Sequence, residues 1–95
     1  MLIIAQNYIQ PERLNEVRKI YEEVVQYTRK QPGCISYNVY QESANPTSLI
    51  FIEEWNSKDD LSVHLEDQGF LNIFSTIEKC FIKDEVMKEY ELFIK

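Results

Sequence analysis

Hydrophobic side chains recur along this chain with two different periods, and the changes of period delimit its elements. Leu2 to Ile9 is a short apolar stretch rich in β-branched and aromatic residues and closed by Gln10 and Pro11, which predicts a strand. From Pro11 to about Lys30, Leu14, Val17, Tyr21, Val24 and Thr28 return every three or four positions among Glu, Arg and Lys. That spacing predicts an amphipathic helix, with Pro11 in its first turn and Pro32-Gly33 stopping it. Cys34 to Gln41 alternates Ile35, Tyr37 and Val39 with Ser36 and Asn38, the two-residue period of a strand. Turn-forming residues from Ser43 to Thr47 join it to another strand, Ser48 to Trp55. Ser57 then caps a helix that passes Leu61, His64 and Leu65, bends or restarts near Asp67-Gln68-Gly69, and continues through Phe70, Leu71, Phe74, Ile77 and Phe81 at helical spacing. Alternation resumes from Val86 to Ile94, where Tyr90, Leu92 and Ile94 predict the last strand.

The order β-α-β-β-α-β, with short connections and right-handed crossovers, implies a four-stranded antiparallel sheet with the helices on one face. This is an α+β, ferredoxin-like architecture expected to run over residues 1–95 as one domain. The strand from Ser48 to Trp55 carries Leu49 and Phe51 on one face and Ile50 and Ile52 on the other, a pattern that calls for cover on both sides. Helices supply one cover. In a chain this short, a second copy is the simplest source of the other, so a homodimer is expected. Ten Lys and Arg against sixteen Asp and Glu give a net charge of −6, which repels phosphate backbones and anionic headgroups. Neither nucleic acid nor a membrane is an expected partner. Apolar runs such as Leu49 to Ile52 are far shorter than the ~20 residues of a bilayer span, and no basic region precedes Met1 to Ile4 as in a signal peptide. A cytoplasmic location is therefore expected. Cys34 and Cys80 lack CxxC spacing and read as reduced, packed residues.

Candidate chemistry narrows quickly. Two glycines, Gly33 and Gly69, cannot build a phosphate cradle, and one His with two isolated Cys offers no metal site, so no metal or nucleotide cofactor is expected. His64 has the only side chain whose ordinary pKa lies near neutrality and is the candidate general base, against the plainer reading of a helix-surface histidine. Trp55 offers either a flat wall with an N–H donor for an aromatic ligand or simple core. Asn7, an amide within an apolar strand, either orients a substrate hydroxyl or bound oxygen, or faces water at a strand end. Phe51, Tyr37, Phe70 and Phe74 line an aromatic-substrate pocket or fill the core. Glu53 and Glu54 fall on opposite faces of their strand and cannot form an acid–base pair with each other.

The block Pro32-Gly33-Cys34-Ile35-Ser36-Tyr37-Asn38-Val39-Tyr40-Gln41, then Asn45-Pro46, then Phe51-Ile52-Glu53-Glu54-Trp55 with His64 nine residues after Trp55, resembles the antibiotic biosynthesis monooxygenase family. The resemblance covers nearly the whole chain in the same element order. It implies homodimers whose sheets pack face to face into an α+β barrel, with a pocket in each subunit between sheet and helices. It also implies oxidation of a small electron-rich aromatic, quinol or enol substrate by dioxygen without cofactor, with His64, Asn7 and Trp55 as the site. Haem binding and degradation, as in some relatives, and a non-catalytic small-molecule-binding dimer are the alternatives. In one place the chain departs from the pattern: many members carry a second His shortly after the helical one, where this chain has Asp67-Gln68-Gly69-Phe70.

Overall fold

In the computed structural model, which describes residues 1–95, the order is β1 (Leu2–Ile9), a 3-10 turn (Pro11–Arg13), α1 (Leu14–Arg29), β2 (Cys34–Gln41), β3 (Ser48–Trp55), α2 (Lys58–Glu66), α3 (Gln68–Glu78) and β4 (Phe81–Tyr90). The strands form one sheet in the order β2-β3-β1-β4, with every neighbouring pair antiparallel. This is the ferredoxin-like arrangement that the element order implies. Along β1 burial alternates strictly, with Ile3, Ala5, Asn7 and Ile9 turned to the helices and Leu2, Ile4, Gln6 and Tyr8 only half-buried on the open face. Register carries the same division across the sheet: Ala5 faces Phe51 and Asn7 faces Leu49, while Ile4 faces Ile52 and Gln6 faces Ile50. Val17, Tyr21, Val24 and Thr28 are the buried stripe of α1.

The second helix restarts where expected: Asp67 both ends α2 and caps α3, its carboxylate accepting from the Phe70 N–H at 2.9 Å. The Tyr27 hydroxyl binds the same carboxylate at 2.5 Å, and a side chain on Gly69 would collide with that hydroxyl. Helix α3 ends at Glu78, so Phe81, which fits the helical spacing, belongs instead to β4; its ring meets Phe74 edge-on at 6.0 Å from the sheet side. The last strand accordingly runs from Phe81 to Tyr90 and not from Val86 to Ile94. Leu92, Phe93 and Ile94 lie beyond it and are exposed.

Strand β4 stays in register with β1 only by two irregularities. Gln6 faces Val86 and Tyr8 faces Lys83, so Asn7 lies opposite two residues, Asp84 and Glu85, and a further shift separates Lys83 from Phe81. The first bulge turns Glu85 toward Asn7.

Candidate active site

Strand alternation and the packing of α2 bring the sequence-predicted residues into one layer between sheet and helices. Trp55, at the end of β3, is fully buried, and its ring lies 4.7 Å from that of His64 on α2. The imidazole also touches Phe70 at 4.0 Å and meets Tyr37 edge-on at 5.7 Å, and it is only 2% exposed. The surface reading of His64 is thereby overturned. Phe51 joins the cluster at 5.1 Å from Tyr37, and Phe74 packs on Phe51 and Phe70 at 6.4 and 5.4 Å. The four residues expected to line a pocket are therefore contiguous with His64, but in this conformation they fill the space themselves.

Only one nitrogen of His64 is held. Nδ1 lies 2.5 Å from Oε1 of Gln31, a carbonyl oxygen that only accepts, so Nδ1 carries the proton and Nε2 keeps its lone pair. Burial disfavours the charged imidazolium and lowers the pKa to about 4, against a smaller opposing pull from Asp67. At neutral pH His64 is thus a neutral acceptor of fixed tautomer.

Asn7 is fully buried on the helix face of β1, which rules out a water-facing amide. Its Oδ1 accepts from the Tyr21 hydroxyl at 2.7 Å, and its Nδ2 donates to Glu85 at 2.6 Å. Tyr21 touches Phe51 at 5.5 Å, so an aromatic path Tyr21–Phe51–Tyr37–His64 connects the Asn7 end of the layer to the imidazole. On the outer side, Tyr21 forms part of a groove of about 330 Å³ between α1 and the β2–β3 hairpin, with Leu14, Val25, Val39 and Leu49 as apolar walls and Arg18 and Arg29 at its rim.

Sequence reasoning weighed Glu53 only as a partner of Glu54 and passed over Glu85, Tyr21 and Gln31. Strand alternation already turned Glu53 to the helices and Glu54 away; Glu53 is 4% exposed and Glu54 exposed. Its Oε1 accepts from the Trp55 indole N–H at 3.0 Å, so the indole N–H is engaged by the protein itself. A buried Glu two residues before a Trp on the same strand face was the available signal. Glu85 became a site residue only through a bulge, which no local pattern announces.

A haem held by His64 does not fit this arrangement, because the imidazole is 2% exposed between Trp55 and Phe70 and the open groove does not include it.

The four-stranded antiparallel sheet with its helices on one face sets the class of fold, ferredoxin-like α+β. Residues 1–75 match the family described as antibiotic biosynthesis monooxygenase, and the chain belongs to it. Over 99% of its length it is similar to the whole of a crystallised antibiotic biosynthesis monooxygenase, with 29% identity and a TM-score of 0.93. A conserved protein of Methanosarcina mazei Go1 is 32% identical with a TM-score of 0.88, over 92% of this chain and 86% of that one. Rv0793 of Mycobacterium tuberculosis, whose name assigns it provisionally to the monooxygenases, is 30% identical over 70 residues, 74% of this chain and 68% of that protein. An uncharacterised protein of Synechocystis, sll1783, is 24% identical over 92 residues; these are 96% of this chain but 63% of the length of sll1783.

Proposed function

We propose that this protein is a cofactor-independent monooxygenase that oxidises a small electron-rich aromatic, quinol or enol substrate with dioxygen, using His64 as base. The observation that carries the reading is the neutral imidazole with one nitrogen held by Gln31 and the other free, buried against Trp55 and Phe70. Neutral Nε2 takes the acidic C–H or phenolic proton of the substrate, leaving an electron-rich anion. The anion passes one electron to dioxygen, and recombination forms the C–O bond of a peroxide. After protonation the peroxide loses water and leaves a new carbonyl, so one oxygen atom enters the product and the other leaves as water. The protein supplies a water-poor, aromatic-walled space and a base of fixed tautomer.

Access to His64 requires α2 to move, and this short helix buries only Leu61 and His64. Trp55, with its N–H taken by Glu53, acts by its flat face, while Asn7, bound by Tyr21 and Glu85, fixes the far end of the layer and does not touch the substrate. A second copy of the chain covers the open sheet face, where Leu2, Ile4, Ile50 and Ile52 are half-buried and Tyr40, Val86 and Tyr90 are exposed. Burying large apolar side chains there is worth roughly 1.5–3 kcal/mol each.

The test is oxygen uptake by chelator-treated, flavin-free protein with quinol or anthrone-type substrates, corrected for autoxidation. The parent should exceed the blank, and His64→Ala should lose about 10²- to 10⁴-fold of that rate while keeping the fold. A His64→Ala protein as active as the parent removes His64 as base.

A further inference from the structure

Glu53 is a buried carboxyl group with no cation to hold it. It lies on the helix face of β3, and its only hydrogen bond comes from the Trp55 indole N–H. A carboxylate withdrawn from water is ordinarily paired with Lys or Arg, because one neutral N–H returns only part of the lost hydration. Both ion pairs of the chain, Arg13–Glu16 and Lys58–Glu89, lie elsewhere. Arg29, whose charge is felt by neighbouring Cys34, is engaged by the Tyr37 carbonyl at 3.1 Å and by Asn38 at 2.8 Å. The titratable groups around Glu53 are Cys34 and Tyr37 from β2, Glu85 from β4 and, across Trp55, His64 from α2; Tyr21 from α1 is bound to Asn7 of β1. None of them carries positive charge at neutral pH. Burial, with Glu85 adding repulsion and the Trp55 bond opposing, pushes the Glu53 carboxyl up to about 7.

His64 moves the opposite way, so surroundings built from the same layer separate an acid from a base, the arrangement by which acid–base roles are assigned in enzyme sites. The two groups flank one indole, His64 against its ring and Glu53 on its N–H. Neither Glu53 Oε2 nor His64 Nε2 has a hydrogen-bond partner within the protein, yet neither is sealed: Thr28 Oγ1 is the one fully enclosed polar side-chain atom without a partner. Both free atoms therefore keep a trace of exposure, which the movement of α2 widens.

We propose that Glu53 is the proton donor of the site and His64 its acceptor, arranged around Trp55, so that Glu53 protonates the peroxide formed from substrate and dioxygen. The step rests on the oxygenation proposed above. The O–H bond of Glu53 breaks as the O–H bond of the hydroperoxide forms, leaving Glu53 as carboxylate and His64 as imidazolium. Return of the imidazolium proton to the carboxylate restores both groups.

Trp55 is the only tryptophan of the chain, so its fluorescence reports on both neighbours. In the parent it should show a transition near pH 7 that Glu53→Gln abolishes, and a second near pH 4 that His64→Asn abolishes. Carboxyl 13C spectra of the glutamate-labelled parent, which need no variant, should show one glutamate titrating near 7. Glutamates that all titrate in the ordinary range, or a fluorescence transition near pH 7 that survives Glu53→Gln, overturn the proposal. In turnover, the parent rate should fall above pH 7 as the donor is lost. Glu53→Gln should lower kcat about 10²- to 10⁴-fold and remove that fall, whereas His64→Asn should lower the rate and leave the fall in place. A Glu53→Gln protein that keeps the parent's alkaline fall overturns the donor role. A parent that holds the proton on Glu53 but turns over no such substrate overturns the oxygenation and, with it, the donor role, so the two failures are read apart.

Discussion

Replacing Glu53 by Gln should expose a pH dependence of folding stability that Glu53 and His64 cancel between them in the parent, because the two exchange a proton on folding. In the unfolded chain at pH 5.5, a Glu near its ordinary 4.5 is ionised and a His near 6.5 is protonated; in the fold, values of about 7 and about 4 leave Glu53 protonated and His64 neutral. Each state then holds one proton on the pair, and the slope of stability with pH from these two groups is close to zero between 4.5 and 6.5. Taken singly the signs oppose. His64 has a lowered folded pKa, so its unfolded form binds more protons and stability is lost as pH falls below 6.5. Glu53 has a raised folded pKa, so stability is lost as pH rises from 4.5 through about 7. Glu53→Gln leaves His64 unopposed, and one proton per pH unit is worth about 1.4 kcal/mol, so the variant should gain up to about 2–3 kcal/mol across that window. His64→Asn should lose a similar amount over the same range. Glu85, whose carboxyl burial also pushes up, is present in all three proteins, so the comparison among them removes its contribution to first order. Urea unfolding at pH 4.5, 5.5 and 6.5 reads the slopes directly. A Glu53→Gln profile parallel to the parent's would refute the reasoning, because Glu53 would then be ionised in the fold.

Tyr21→Phe removes the hydroxyl that donates to buried Asn7 Oδ1 and should cost about 1–3 kcal/mol in thermal or urea unfolding, since the carbonyl is left without a partner; an unchanged midpoint would show that Asn7 does not depend on Tyr21. Asp67→Ala removes the cap of α3 and the partner of Tyr27 together, and should destabilise by about 1–2 kcal/mol with loss of near-ultraviolet ellipticity from Tyr27. Ile52→Lys puts a charge in the open sheet face without touching the helix-facing core, so sedimentation should show a dimeric parent and a monomeric, folded variant; a parent that sediments as a monomer sinks the covered-face reading.

Local pattern was enough for much of this protein. β1, β2 and β3 begin and end where periodicity, Pro11, Pro32-Gly33 and the Ser43–Thr47 turn say they should, and α1 ends there too although Pro11–Arg13 forms a 3-10 turn ahead of its start at Leu14, because strand alternation, helix spacing and turn residues are properties of neighbouring positions. The same alternation turned Asn7, Phe51, Glu53 and Trp55 inward. Phe81 marks where that kind of reasoning fails: its spacing from Phe74 and Ile77 suits a helix, yet its ring reaches Phe74 from β4, and periodicity alone does not distinguish the two. The bulge opposite Asn7 is a matter of register between strands almost eighty residues apart, and it alone brings Glu85 to the amide. Charge states were decided later still. A glutamate in a strand is written in the sequence, but whether it keeps its proton depends on desolvation and on every charge that other elements bring near, and here β2, β4 and α2 surround Glu53 without supplying a cation.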